Sequence, residues 1–448
     1  MAFLILAVEF FLSLFSPALF LVVYCFVGAD EDAFGFVNYA SLSFKYYSIV
    51  MHCLLLIAVF SSIIRNKKVH NSIVKLSYFY ALFMVLSVFF GFFVNGFGGN
   101  VLYRSIYALT TYGPSIFIVA YFNIRNGGLT FKKIKTIIFA LFILSFLVVY
   151  SEKIGLSFLN VFNGVNYIDI DDSLYYQYRG TASVGDFYNA FLHKGTFLAT
   201  GQFHNANALG FLSGLVVSIS LFLILFSQEK RKKRIIMLPI RLIFIVLGMF
   251  MWCNAGTRAA IFALLSTLLC FVFFSNIKAS KKVFFAIVFV SSVVALMLLY
   301  GDTIYSYLFG SAASDSYASR STLNKNAFIY IANHFLFGSG GEDSLLNSAG
   351  VDPHILPLKI FTLYGLMPAL LIMIIVYFRP VLFFFKNKRA TNFNRCLFIT
   401  IFSSLFFISI TNNMTLRCIF WILVAFCYSL VHSLKNKRID VCEGIVYE

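Results

Sequence analysis

Three residues of this chain have side chains suited to an anionic substrate, and each stands beside an apolar run: Arg258, Arg320 and His354. A guanidinium offers a planar fork that grips a phosphate through two parallel hydrogen bonds, which an ammonium does less well. An imidazole exchanges its proton near neutral pH and can serve as a general base. Arg258 ends the short turn Asn254-Ala255-Gly256-Thr257-Arg258 between two apolar runs, where a lone charge is costly without a partner. It can meet an anionic headgroup or extend to the interface. Arg320 can hold a phosphate, or pair with Asp315 or Glu342. Pro353 and Pro357 bracket His354 at the mouth of an apolar run, a position that suits proline. Its ring can act as a base or be satisfied by backbone. His334, before Phe335-Leu336-Phe337, reads as a packing residue.

A second group is more diffuse. Arg179 lies among Tyr175, Tyr176, Tyr178 and Tyr188, and aromatic faces beside polar groups suit carbohydrate stacking or loop packing. Asn205 and Asn207 stand where an apolar run begins, and suit helix capping or hydrogen bonds to a sugar. Charges fall inside apolar runs, Lys359 and Glu9 among them. Both should face protein or water rather than lipid. Lys359 is close enough to His354 to extend into the same site, whereas Glu9 is expected to snorkel at the inner face.

The elements that position these residues are membrane helices. The chain has 448 residues, 60% hydrophobic and only 12% charged. Runs of roughly 20 apolar residues recur along it, the length a helix needs to cross a bilayer. Twelve spans are expected, near 3–27, 46–64, 76–94, 106–124, 136–150, 205–226, 235–253, 259–275, 283–300, 356–378, 396–411 and 418–434. The first lacks a basic leader and is long for a signal peptide, so it reads as a span. Two loops are long, about 151–204 and 301–355. In the second, Ser321 or Thr322 is expected to cap a helix running to about His334, with Leu323, Ala327, Ile331 and Phe335 at helical spacing. Gly338-Ser339-Gly340-Gly341 should end it. No internal repeat is evident, so residues 1–448 read as one membrane domain.

The net charge of +17 does not point to nucleic acid, because the basic residues gather in short loops. Most of the 35 Lys and Arg residues fall on every second loop, Lys230 to Arg234 among them. That is the positive-inside pattern, and it predicts that both termini are cytoplasmic. The two long loops then face outward. The eight cysteines show no metal-binding spacing. They read as small packing residues, with a Cys253–Cys418 pair near the outer face as the other arrangement. No nucleotide, zinc or calcium motif is present, so neither cofactor nor metal is implied.

In order, Gly201 to Gly210, Gly256-Thr257-Arg258, Arg320 with its helix into Phe337-Gly338-Ser339-Gly340, Pro353-His354 and Leu363-Tyr364-Gly365-Leu366 form a pattern. Over roughly residues 195–375 it resembles the bacterial O-antigen polymerase and O-antigen ligase superfamily of polytopic glycosyltransferases. The resemblance implies a GT-C-like, all-α integral membrane protein of the inner membrane, using no metal. The donor would be an oligosaccharide on undecaprenyl diphosphate, at the periplasmic face. Arg258 and Arg320 would bind the diphosphate, and His354 would take the proton from the acceptor hydroxyl. Arg179, Lys359, Asn205 and Asn207 are further candidates for substrate contact. Where many relatives have His-Asn, this chain has His354-Ile355, and Gly201 to Gly210 carries His204 and Ala206 where Gly or Ser and Pro are common. The first departure weakens the reading as a ligase that moves polymer to lipid A–core and leaves open the leading reading, a polymerase. A flippase for lipid-linked oligosaccharides is the alternative of another class, and a chain-length regulator protein is a further expected partner.

Overall fold

The computed structural model describes residues 2–27, 44–66, 72–95, 101–153, 206–226, 231–255, 258–274, 311–342, 346, 350–351, 353, 355–386, 392–411 and 417–433, with a few positions between 280 and 291. Among them every regular element is a helix. In lipid each backbone N–H and C=O must be satisfied within the protein, and helices do this locally. Five helices are long and apolar enough to cross a membrane: Ser72–Phe93, Leu209–Phe226, Lys232–Trp252, Leu366–Lys386 and Phe393–Thr411. A broken pair, Val101–Thr111 with Pro114–Arg125, makes a sixth. This is a multi-pass membrane protein. The other expected spans are further helices, one of them broken, or, like 283–300, fall almost wholly outside the described residues.

The chain packs as two compact units, residues 1–71, 110–264 and 415–448 in one, 72–109 and 265–414 in the other. The first unit holds α1 (Ala2–Phe15), α2 (Pro17–Val27) and α3 (Phe44–Arg65). The expected first span is thus broken. Pro17 has no N–H to continue the ladder, and Ser61 and Arg65 of α3 cover the break by donating to the Leu14 and Phe15 carbonyls at 2.6 Å. Glu9 is fully buried within α1, so it packs in protein instead of snorkelling.

Next along the chain come α4 (Ser72–Asn95) and α5 (Val101–Thr111) of the second unit, then α6 (Pro114–Arg125) and α7 (Phe131–Lys153) of the first. The run expected at 136–150 forms the 23-residue α7, longer than its hydropathy alone suggested. The first unit continues with α8 (Ala206–Phe226), α9 (Arg231–Ala255) and the start of α10 (Arg258–Phe274). Most of the Leu209–Phe226 window is buried, 78%, against 17% of Lys232–Trp252. Hence α8 is enclosed, and α9 leaves Ile235, Ile236, Ile243 and Val246 exposed, as a lipid-facing helix does. Arg241 of α9 is buried and donates to the Leu223 carbonyl at 3.1 Å.

The last helix of the first unit, α16 (Arg417–Ser433), packs on α6. Its Trp421 meets Phe117 edge-on, as does Tyr428. Gly113, with φ 92°, lets the indole of Trp421 lie against the backbone, and any Cβ there would overlap the ring. Cys418 at the start of α16 is disulfide-bonded to Cys25 in α2, with Cα atoms 5.7 Å apart. The partner of Cys418 is therefore Cys25 and not Cys253, because the ends of α2 and α16 adjoin.

The second unit adds α11 (Ser311–Asn333), α12 (Leu356–Tyr364) and α13 (Leu366–Met373). A π-turn over Ile374–Phe378 leads into α14 (Arg379–Lys386), and α15 is Asn392–Thr411. Buried hydroxyls tie these helices together, with Tyr377 donating to Ser409 at 2.8 Å and Thr267 within 3.1 Å of Ser404. The span expected at 356–378 is displaced along the chain. Gly365 ends α12, and the long apolar helix runs instead from Leu366 to Lys386.

Candidate functional site

The helix that carries Arg320 begins at Ser311, ten residues earlier than capping by Ser321 would place it. Nothing between Gly310 and Gly338 breaks a helix, and the small residues Ser311-Ala312-Ala313-Ser314 carry it. Arg320 is therefore inside α11, half-buried, with Ser321 and Thr322 exposed beside it. Ala327 and Ile331 form the buried face of α11, which packs against α12. At its end the His334 ring stacks on Tyr330, centroids 4.1 Å apart, with Nδ1 3.1 Å from the Tyr330 carbonyl. Burial pushes the Tyr330 hydroxyl above its ordinary pKa, so it stays neutral. His334 is a packing residue, as its context predicts.

After α11 the chain enters the glycine turn. Gly338, Gly340 and Gly341 have φ of 60°, 65° and 79°, a region that favours glycine. The turn does more than reverse the chain. A helix that stops leaves its last carbonyls without partners, and those of α12 end inside the protein. The Thr362 carbonyl accepts from the Ser339 N–H at 2.8 Å, and the Leu363 carbonyl from the Gly341 N–H at 2.9 Å. The Tyr364 carbonyl accepts from the Ser87 hydroxyl of α4 at 2.6 Å. In return the Leu366 N–H donates to the Phe335 carbonyl at 3.1 Å. Gly365, with φ 81°, has the Leu336 carbonyl where a Cβ would be. The break between α12 and α13 is thus stitched to the loop that carries Arg320.

Two side chains close the turn. Phe337 stacks on Phe90 of α4, centroids 4.5 Å apart. Glu342 forms an ion pair with Arg104 of α5, both side chains mostly buried at 16% and 18% exposure. Glu342 is one of the carboxylates the sequence offers to Arg320, and its ion-pair partner is Arg104. A lone Arg at the edge of an apolar run was the available signal. Arg241 stands inside the apolar run at 235–253, a signal of the same kind as Lys359.

The remaining candidates divide as follows. Lys359 is buried in α12, with the Thr362 hydroxyl donating to its carbonyl at 2.9 Å. It faces protein, as a charge in an apolar run must. Arg258 is the first residue of α10, in the first unit, and Arg320 belongs to the second. Asn207 lies in the first turn of α8. Its side chain, like that of Arg258, is outside the described set. His354, Arg179 and Asn205 lie outside the described residues. The position of His354 is two residues before α12, which opens with Leu356-Pro357. Among the described residues no cluster of His, Cys, Asp and Glu could hold a metal ion.

Residues 243–365 match the model of a family described as O-antigen ligase. Over this segment the chain is similar to that family. It reaches from within α9 to the Gly365 break and contains Arg258, Arg320, His354 and Lys359. Arg179, Asn205 and Asn207 lie before it. The match supports membership of the O-antigen ligase and polymerase superfamily that the motifs resemble, and both activities fall within it. A search among curated proteins gave no match.

Proposed function

We propose that this protein is a polymerase of O-antigen or a similar surface polysaccharide. It joins repeat units carried on undecaprenyl diphosphate at the periplasmic face of the inner membrane. The observation that carries the reading is that one family segment, residues 243–365, contains both candidate arginines, the candidate base and the stitched turn. The His354-Ile355 departure weakens the ligase reading and leaves the polymerase reading open. In this reading the chain crosses the membrane about twelve times with both termini inside, and the loops near 151–204 and 301–355 face outward. The outer position also fits the Cys25–Cys418 bond, since disulfides persist in oxidising compartments.

The chemistry follows from the residue types. An acceptor hydroxyl attacks the anomeric carbon of the donor from the face opposite the diphosphate. The carbon–oxygen bond to phosphate breaks, and undecaprenyl diphosphate leaves with the electron pair. His354 takes the hydroxyl proton. Arg258 and Arg320 stabilise the negative charge that grows on the leaving diphosphate. In this reading the two guanidinium groups supply that charge in place of a metal ion. Lys359, Arg179, Asn205 and Asn207 are proposed to contact the glycan or the phosphates. A chain-length regulator is the proposed protein partner.

The lipopolysaccharide of a deletion strain tests the reading. Loss of a polymerase leaves core capped with a single repeat. Bare core, with polymer accumulating on the lipid carrier, would make the protein a ligase. Single repeats trapped on the inner leaflet would make it a flippase.

A further inference from the structure

One stripe of α11 changes character along its length. Two i, i+4 rows lie side by side, Arg320-Asn324-Phe328 and Ser321-Lys325-Ile329, and these six residues line an open groove of about 600 Å³. The N-terminal half of the stripe is cationic and polar. The C-terminal half is apolar and exposed, Phe328 by 64% and Ile329 by 55%. The rows continue that way, since Leu336 just beyond the helix is 62% exposed. Arg320 and Phe328 are about 12 Å apart along the axis at 1.5 Å per residue.

The opposite face holds the helix in place. Ala327 and Ile331 are buried, and Asn326 donates to the Gly350 carbonyl at 3.1 Å. The stripe therefore cannot roll inward. Within the groove the side-chain oxygen of Asn324 is buried and has no hydrogen-bond partner among the described residues. A buried polar atom without a partner is costly and calls for a ligand or water. Because the two ends of an amide are interchangeable by rotation, it can present a donor as readily as an acceptor.

We infer that this stripe is the seat of the donor's lipid carrier, bound lengthwise. The diphosphate lies across Arg320, Asn324 and Lys325. The first isoprene units lie along Phe328 and Ile329 toward Leu336. The inference rests on the polymerase reading for the identity of the lipid. It adds Lys325 as a phosphate contact, Phe328 and Ile329 as the lipid contact, and a direction for the chain. The ordering explains why cations and exposed aromatics share one helix face: the ligand is itself anionic at one end and apolar at the other.

The test uses full-length protein in nanodiscs of phosphatidylcholine, with undecaprenyl diphosphate, farnesyl diphosphate and inorganic pyrophosphate as probes. Lys325→Ala is expected to weaken all three about tenfold, the loss of one charge-assisted contact, and Lys325→Arg to restore them. Phe328→Ala with Ile329→Ala is expected to weaken the two prenyl probes and leave pyrophosphate unchanged. All three side chains changed here are exposed, so melting temperature should hold. Wild-type protein that binds undecaprenyl diphosphate with these variants unaffected would overturn the stripe and leave the polymerase reading standing. Wild-type protein that binds none of the prenyl probes would overturn both. Variants that instead lose binding only to nanodiscs containing phosphatidylglycerol would make the stripe a contact for bulk anionic lipid, which also overturns the proposal.

Discussion

Gly91 of α4 and Gly340 of the turn meet backbone to backbone, and a Cβ built on Gly340 falls 2.7 Å from the Gly91 Cα. Neither position has room for a side chain. Gly340→Ala should therefore cost more than about 2 kcal/mol, from a left-handed φ together with overpacking. Gly127, with φ 73° and nothing within 4 Å of its Cβ position, isolates the first of these terms. Gly127→Ala should lower the melting temperature in detergent much less than Gly340→Ala. Gly91→Ala, which carries only the clash, should fall between them and also lower polymer synthesis. Equal melting temperatures for all three would refute the close approach.

The Arg104–Glu342 pair holds the far side of the same turn. Removing one partner leaves a mostly buried charge without its opposite charge in this pair, whereas removing both does not. Arg104→Ala should destabilise the protein more than Arg104→Ala with Glu342→Ala. A double-mutant cycle on melting free energy should show coupling of about 1 kcal/mol or more. Strict additivity would mean that the pair contributes nothing to holding the turn.

The Cys25–Cys418 bond links α2 to α16 across nearly the whole chain, a separation of 393 residues. A protease site placed in the segment 227–230 would cut the chain between them. The two fragments should migrate together without reductant and separate with it. Cys418→Ser should separate them in both conditions. Cys427, fully buried in α16, should resist thiol reagents in the folded protein. Fragments that part without reductant would rule the bond out.

The proposed base and phosphate ligands predict different kinetic signatures. His354→Ala should lower kcat by about two to four orders of magnitude, the usual contribution of a general base. Arg320→Lys keeps the charge and loses the fork, so it should be impaired, with Arg320→Ala worse. Synthesis of long chains at the normal rate by His354→Ala would remove the residue from the mechanism. Normal rates for Arg320→Lys would remove the bidentate contact.

Much of this molecule could be read along the chain. The apolar runs near 76–94, 205–226, 235–253 and 396–411 each correspond to a helix able to cross a membrane, because lipid demands a long uninterrupted apolar segment and composition reports it directly. His334 as a helix-end packing residue and the glycine turn after it were equally legible, since both depend on neighbours a few residues away. The start of α11 was not. Its first turns are Ser and Ala, which carry no apolar period, and Ser321 imitates a cap.

What only the tertiary structure decided depends on pairs of distant residues. Gly365 stops a run that hydropathy reads as continuous, because the Ser339 and Gly341 N–H groups and the Ser87 hydroxyl take the carbonyls of Thr362, Leu363 and Tyr364. Cys418 has Cys25 as its partner, and Glu342 has Arg104. Residue types and local spacing determine which groups can carry charge or exchange a proton, since those are properties of single side chains. Which of them meet is set by how helices far apart in sequence pack, and no local pattern records it.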